Sequence, residues 1–216
     1  MKNVAAILLA AGRSKRMGAF KPLLPFGDKS IITTCIDKLR AAGIETIIVV
    51  LGYRAENLRK HLGHANVKFA LNEDPTSEMS TSIARGVEEL PPATQAVIIA
   101  LGDHPVLDPE VIATLLNHWE QGDKLLIPEF AGRGGHPVLV DLAFRTELLQ
   151  LDSERGLKGL FKVHSAQTRR IPVTSPLIAR DLDTWDDYRA LHWEVFGEEP
   201  SVALPKGESV REEDTN

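Results

Sequence analysis

Apolar runs and helical periods alternate along this chain. Nearly continuous apolar runs occupy 4–10, 46–52, 67–71 and 96–103, and each leads towards a segment whose apolar residues recur every three or four positions. The pattern predicts buried strands in the runs and helices over 30–43, 54–63, 77–90 and 108–119. Boundary residues agree. Ser30 is placed to cap the first helix and Gly43 to stop it, and Asp108 followed by Pro109 opens the fourth. A β-α-β-α rhythm of this kind predicts an α/β fold with a mostly parallel sheet covered by helices on both faces.

Past residue 121 the alternation loosens. Strands are expected at 124–130 and 136–140 around the turn 131–135, helices at 142–151 and 156–164, a last strand at 168–173 and a last helix at 183–196. From 197 the chain is polar, acidic and aperiodic. The expected organisation is one domain over 1–196 and a disordered acidic tail over 197–216. No internal repeat is visible.

Composition adds bounds. A chain of 216 residues, 43% hydrophobic, suits one sizeable core. Its net charge of −5 argues against a nucleic-acid partner, which needs a basic face. The single cysteine, Cys35, leaves no intrachain disulfide framework and no cysteine-based zinc site, and its apolar helical setting makes it a core residue. The first apolar run precedes cations, the reverse of a signal peptide, and no stretch approaches the ~18 apolar residues of a membrane span. A cytoplasmic protein without a membrane partner is expected.

Locally, charge is more informative. Arg13, Lys15, Arg16 and Lys21 follow the first strand, with Gly12 and Gly18 among them. Open α/β sheets bind ligands beyond the carboxyl ends of their strands. There, glycines let backbone N–H groups approach an anion and cations neutralise it, so a polyphosphate is the natural ligand. The loop is not a P-loop, because five residues separate the two glycines and Ala19 and Phe20 follow. Nor is it a dinucleotide fingerprint, because Ser14 stands where the second glycine belongs. A solvated basic loop that merely turns the chain is the alternative. Asp103 ends the strand 96–103 and brings a carboxylate to the same edge. A polyphosphate normally arrives with Mg²⁺, which takes hard oxygen ligands, so Asp103 is a candidate ligand; a turn residue ahead of Pro105 is the other reading. The segment 180–188 adds Asp181 and Asp183, the latter equally suited to capping the last helix.

The stretch LAAGRSKRMGAFKPLLPFGDKSII resembles the signature of the molybdopterin nucleotidyltransferase-like (MobA-like NTP transferase) family, in its molybdenum cofactor cytidylyltransferase branch. Later segments resemble it in the same order: SEMSTSIARGV, LGDHP with His104 where Gln is usual, GRGGHPVLV with one extra glycine, ERGLKGLFKVHSAQTRRIPV, and RDLDTWDDY with Trp185 where Pro is usual. The resemblance covers about 3–192. It implies a three-layer Rossmann-like fold and a Mg²⁺-dependent enzyme that joins a nucleoside triphosphate to a phosphorylated acceptor and releases pyrophosphate.

By the same resemblance, Leu9, Ala10, Ala11, Gly12, Arg13, Arg16, Gly18 and Lys21 hold the nucleotide, with Ser80 and Ser82 near base or acceptor. Arg16, Lys21 and Asp103 carry the chemistry, Asp103 and Asp183 hold the metal, and His104 and His136 face the acceptor. Guanylyl-transferring relatives usually read Leu-Ala-Gly-Gly where this chain has Ala11, which favours CTP over GTP. The expected partners are CTP or another triphosphate, a molybdopterin-type acceptor, and a molybdoenzyme apoprotein as recipient. A sugar or alcohol phosphate acceptor, and a non-catalytic cofactor carrier, are the competing readings. His61, His64, His118, His164 and His192 read as polar-face residues, and Trp119, Trp185 and Trp193 as packing residues.

Overall fold

A computed structural model describes residues 3–14, 16–74, 78–180 and 182–202. Asp181, Lys15 and the stretch 203–216 that makes up most of the expected tail lie outside the described residues, as does the expected helix start at Ser77. The strands are β1 (Val4–Leu9), β2 (Pro25–Phe26), β3 (Lys29–Ser30), β4 (Thr46–Leu51), β5 (Lys68–Leu71), β6 (Ala96–Leu101), β7 (Leu125–Phe130), β8 (Arg133–Gly134), β9 (Val138–Asp141) and β10 (Thr168–Pro172). The helices are α1 (Ile31–Ala41), α2 (Ala55–His61), α3 (Met79–Glu88), α4 (Pro109–Glu120), α5 (Arg145–Leu149), α6 (Gly156–Val163) and α7 (Trp185–Phe196).

The main sheet runs β10-β7-β9-β6-β1-β4-β5, with β8 paired to β7. β5, β4, β1 and β6 are mutually parallel, β9 runs antiparallel between β6 and β7, and β10 is parallel to β7. The three-layer, mostly parallel α/β arrangement expected from the pattern is the one observed. What the pattern could not give was the reversal at β9. That reversal starts β9 at the edge where β1 and β6 end, since Val138 pairs with Ile99.

Alternation along β1 divides the core. Ala6 and Leu8 pack on one face with α1, α4 and α7, whereas Ala5 and Ile7 pack on the other with α3, α5 and α6. Burying one such Ile or Leu contributes roughly 1.5–3 kcal/mol. Gly86 lets α3 sit close to β1, because a Cβ there would lie 2.6 Å from Ile7 Cγ2. Cys35 is buried in the first face, and desolvation pushes its thiol pKa above the ordinary value.

Local signals worked where side chains could meet their own backbone. Ser30 Oγ accepts from the Thr33 amide, and Asp108 accepts from the Glu110 amide one residue after Pro109. At α7 the cap is Thr184, in a capping box with Asp187, and this leaves Asp183 free for another role. The Thr184 hydroxyl bond holds the Asp187 carboxyl below its ordinary pKa. Tyr188 anchors α7 to the β2–β3 hairpin through a bond from its hydroxyl to the Pro25 carbonyl, and burial pushes its pKa up to about 12.

Two expectations need correction. His192 is buried, not on a polar face, and its Nδ1 bonds the Glu198 carbonyl. Trp193 is exposed rather than packed, because α7 turns that face outward. Within 197–202, Pro200 is buried and Val202 packs against the core.

Candidate nucleotide and metal site

Chain order reverses around β1. After β1 the chain moves to β4 and β5, then returns to β6 on the opposite side of β1. A crevice opens where such a sheet switches direction, beyond the carboxyl ends of the strands. It holds a cleft of about 610 Å³.

The loop after β1 forms its floor. Ala10 N–H donates to the Val50 carbonyl, Tyr53 N–H donates to the Ala11 carbonyl, and Gly102 N–H donates to the Leu9 carbonyl. The loop is thus fixed to the ends of β4 and β6. Two glycines serve different ends. A Cβ on Gly52 would lie 2.7 Å from Ala11 Cβ, so this glycine permits the close packing. A Cβ on Gly12 would meet no protein atom within 4 Å, so this glycine leaves space in the cleft.

Lys21 starts a short 3₁₀ turn, Lys21–Leu23, held by Pro22 and by bonds from Leu23 and Leu24 N–H. The turn points the ammonium inward, and the side chain is only 6% exposed. Lys21 Nζ lies 3.0 Å from Asp183 Oδ1 and 3.4 Å from Asp103 Oδ2. Arg16 Nη1 lies 2.7 Å from Asp183 Oδ2, from an exposed position. Two cations and two carboxylates from three separated segments therefore meet at the mouth of β6. A buried cation needs such partners, since an unpaired one costs far more than an exposed pair gains.

Leu9, Ala10, Ala11, Gly12, Arg13, Arg16, Lys21, Ser82, Asp103 and Asp183 all line the cleft. Gly18, Ser80, His104 and His136 do not. Gly18, with φ of +65°, closes the basic loop by donating to the Ser14 carbonyl. Ser80 is buried in α3. His104 is buried, with Nε2 donating to the Leu177 carbonyl at 2.8 Å. His136 sits before β9 at the same edge, its amide bonded to the Ile178 carbonyl. Among the described residues its buried Nδ1 meets no hydrogen-bond partner, and burial pushes its pKa down, opposed by the Ile99 backbone and Asp103. The preceding Gly135 packs against the Ile178 carbonyl where no Cβ could fit, which accounts for the glycine before this histidine.

Sequence reading missed Tyr53, Asn72, Asp74, Glu78 and Met79 in the cleft wall. Tyr53 and Asn72 lie two residues and one residue past the ends of β4 and β5, so the strand-end rule that found Asp103 would also have found them. Asn72 Nδ2 donates to Ser82 Oγ at 2.9 Å, joining β5 to α3. The Tyr53 ring stacks edge-on to Phe20, with the guanidinium groups of Arg13 and Arg54 over it at 5.7 and 5.4 Å.

Among the described residues no cluster of three or more His, Cys, Asp or Glu could hold a metal. Two carboxylates still fit Mg²⁺, which commonly takes one or two from the protein and the rest of its shell from substrate phosphates and water. The donor set suits a cation that arrives with a triphosphate.

A basic glycine loop and a carboxylate pair gathered at a sheet's switch point form a site suited to a nucleoside triphosphate and its cation. A family model described as "MobA-like NTP transferase domain" matches residues 6–170, and the chain belongs to that family. It is 26% identical over 190 residues to the molybdenum cofactor cytidylyltransferase of Escherichia coli, covering 87% of this chain and 95% of that protein. It is 27% identical over 174 residues to a probable molybdenum cofactor guanylyltransferase of Pyrococcus horikoshii, covering 80% and 84%. Against the bifunctional protein GlmU of Symbiobacterium thermophilum it is 33% identical over 141 residues, 62% of this chain but 29% of that protein. The crystal structure of Rv0371c from Mycobacterium tuberculosis superposes with a TM-score of 0.78 at 27% identity, over 88% of this chain and 98% of that one. Rv0371c has also been solved as a manganese complex. No helix among the described residues is long and apolar enough to cross a membrane.

Proposed function

We propose that the chain transfers CMP from CTP to a phosphate of the molybdenum cofactor and releases pyrophosphate. The observation that carries the reading is the cluster of Lys21 and Arg16 with Asp103 and Asp183 at the sheet's switch point. An acceptor phosphate oxygen attacks the α-phosphorus, a new O–P bond forms, and the bond to the β-phosphate oxygen breaks. The attacking phosphate is already ionised near neutral pH, so no general base is required. Two anions must approach, so position and charge neutralisation dominate the barrier. Arg16 and Lys21 supply positive charge to the phosphates, and the loop 10–12 supplies backbone. A divalent cation held by Asp103 and Asp183 would add Lewis-acid neutralisation at the phosphate oxygens. His136, beyond Asp103 at the same edge, is assigned to the acceptor side, and Ser82, bonded to Asn72, to the base side.

CTP is the proposed donor because Ala11 carries a methyl at the cleft floor. That methyl packs against Gly52 and leaves a purine less room than glycine would. A difference of one methyl is worth about 1–3 kcal/mol, so Ala11→Gly should narrow the CTP-over-GTP preference without inverting it. The test measures pyrophosphate release with CTP or GTP against molybdenum cofactor or a sugar phosphate. Release with CTP and the cofactor supports the reading. A wild-type preference for GTP overturns the cytidine assignment, release only with sugar phosphate overturns the acceptor, and binding without release makes the protein a carrier.

A further inference from the structure

The two carboxylates suited to a metal are already engaged by cations. Lys21 Nζ bridges Asp183 and Asp103, and Arg16 takes the second Asp183 oxygen. Within this four-group cluster two negative and two positive groups balance, with the Lys21 side chain almost wholly removed from water, while Arg13, Asp74 and Glu78 line the wider cleft. A divalent cation alone would either displace a buried ammonium that has nowhere else to go or leave excess positive charge in a partly desolvated site, and both are unfavourable. A triphosphate changes the balance. Its oxygens give Lys21 and Arg16 new partners on the same side of the cleft, and they bring the negative charge that a divalent cation then offsets.

We infer that Lys21 is a placeholder for the metal: it holds Asp103 and Asp183 together in the free enzyme and keeps the metal site closed until a triphosphate draws its ammonium away. This inference rests on reading the cleft as a metal–triphosphate site. Metal and nucleotide then bind with positive coupling, and reciprocity requires each to tighten the other by the same factor. The lysine therefore has two roles, one in each state. It guards the carboxylates when the cleft is empty and neutralises phosphate when it is filled. Idle binding of a divalent cation without nucleotide is suppressed.

The test titrates Mn²⁺ into wild type, Lys21→Met and Lys21→Gln, reading free Mn²⁺ by electron paramagnetic resonance, with and without CTP and with no acceptor present. Circular dichroism checks that each variant is folded. Without CTP, the lysine variants should bind Mn²⁺ at least about tenfold more tightly than wild type, within the usual range of coupling between sites. With CTP the advantage should vanish or reverse, so the CTP-induced gain in Mn²⁺ affinity shrinks by a similar factor. Chelation of Mn²⁺ by free CTP is common to all three proteins and cancels. If the lysine variants do not fold, Arg16→Gln carries the test from its exposed position: it frees one Asp183 oxygen and should tighten Mn²⁺ about threefold without CTP, a smaller gain because Lys21 stays in place. Unchanged Mn²⁺ affinity in the folded variants, with Mn²⁺ and CTP still binding together in wild type, overturns the placeholder alone. Failure of wild type to bind Mn²⁺ even with CTP overturns the metal–triphosphate reading beneath it.

Discussion

At one edge of the sheet, β5, β4, β1 and β6 end in glycine, amide and charge, whereas the neighbouring approach to β9 carries buried histidine and tightly packed backbone. The first half holds Gly12, Gly52, Asn72 and Asp103 at or near its strand ends, with Arg16 and Lys21 close by. The second half holds the buried His136 and Gly135 pressed on the Ile178 carbonyl, with His104 bonded across to Leu177. Parallel strands that end together expose a row of loops, and those loops can carry ionic chemistry. A strand that runs the other way starts there instead, and its first residues are held by distant backbone. The proposed nucleotide cleft therefore lies in the half that gathers the charged side chains, and the neighbouring wall is shaped by packing.

Removing charge from the first half should have the largest effect. Asp103→Asn keeps the shape of the side chain and loses the carboxylate, so turnover should fall by at least ~10²-fold, the scale for one electrostatic stabiliser. The fold should survive, because Asp103 is partly exposed. Steady-state turnover beside a melting curve checks both, and normal turnover would remove Asp103 from the site.

Next come the two cations, which separate by burial. Hydrogen bonds to charged groups contribute about 1.5–3 kcal/mol, so Lys21→Ala should weaken CTP binding roughly ten- to hundredfold. Arg16 is 75% exposed and should lose less on the same substitution. Binding of unphosphorylated cytidine should barely change. Calorimetry with both ligands decides, and equal losses for the two would contradict phosphate contact.

The two glycines sharpen the contrast within the first half. Gly52→Ala must displace the Ala11 backbone, whose carbonyl oxygen would lie 2.9 Å from the new Cβ. Overpacking of this kind costs about 1–3 kcal/mol, visible as a lower denaturation midpoint. Gly12→Ala should leave the midpoint nearly unchanged and weaken CTP, since its Cβ would enter the open cleft proposed for the nucleotide.

The same contrast explains what could be read in advance. The first half was legible because its chemistry lies in contiguous stretches at strand ends, where periodicity, turn residues and charge coincide. Lys21 was legible as a cation but not as a buried one, because its partners Asp103 and Asp183 lie 82 and 162 positions away. Asp183 was undecided until Thr184 took the cap. In the second half, β9 gave its strand pattern but not its direction, and the closeness of Gly135 to Ile178 leaves no local trace. His192 read as a surface residue because its helix period places it beside exposed neighbours, whereas the rings of Phe26 and Tyr188 pack on it and the Glu198 carbonyl takes its Nδ1.

The smallest effect tests the second half through its buried histidine. Desolvation lowers the His136 pKa below its ordinary value of 6.5 in the folded protein, with His104 and Lys158 acting in the same direction and the Ile99 backbone and Asp103 against. Between the folded and unfolded values the unfolded chain binds the extra proton, so stability must rise with pH there. The contribution is complete above about pH 6.5 and is lost as pH falls towards the folded value. His136→Gln removes this titration while leaving the other histidines in place, so the difference between the two proteins isolates it. Wild type should lose more melting temperature than the variant between pH 7.5 and 5.5. Parallel pH profiles would mean that His136 is solvated in the folded protein; a steeper fall in the variant would reverse the sign and place a stabilising partner on the protonated ring.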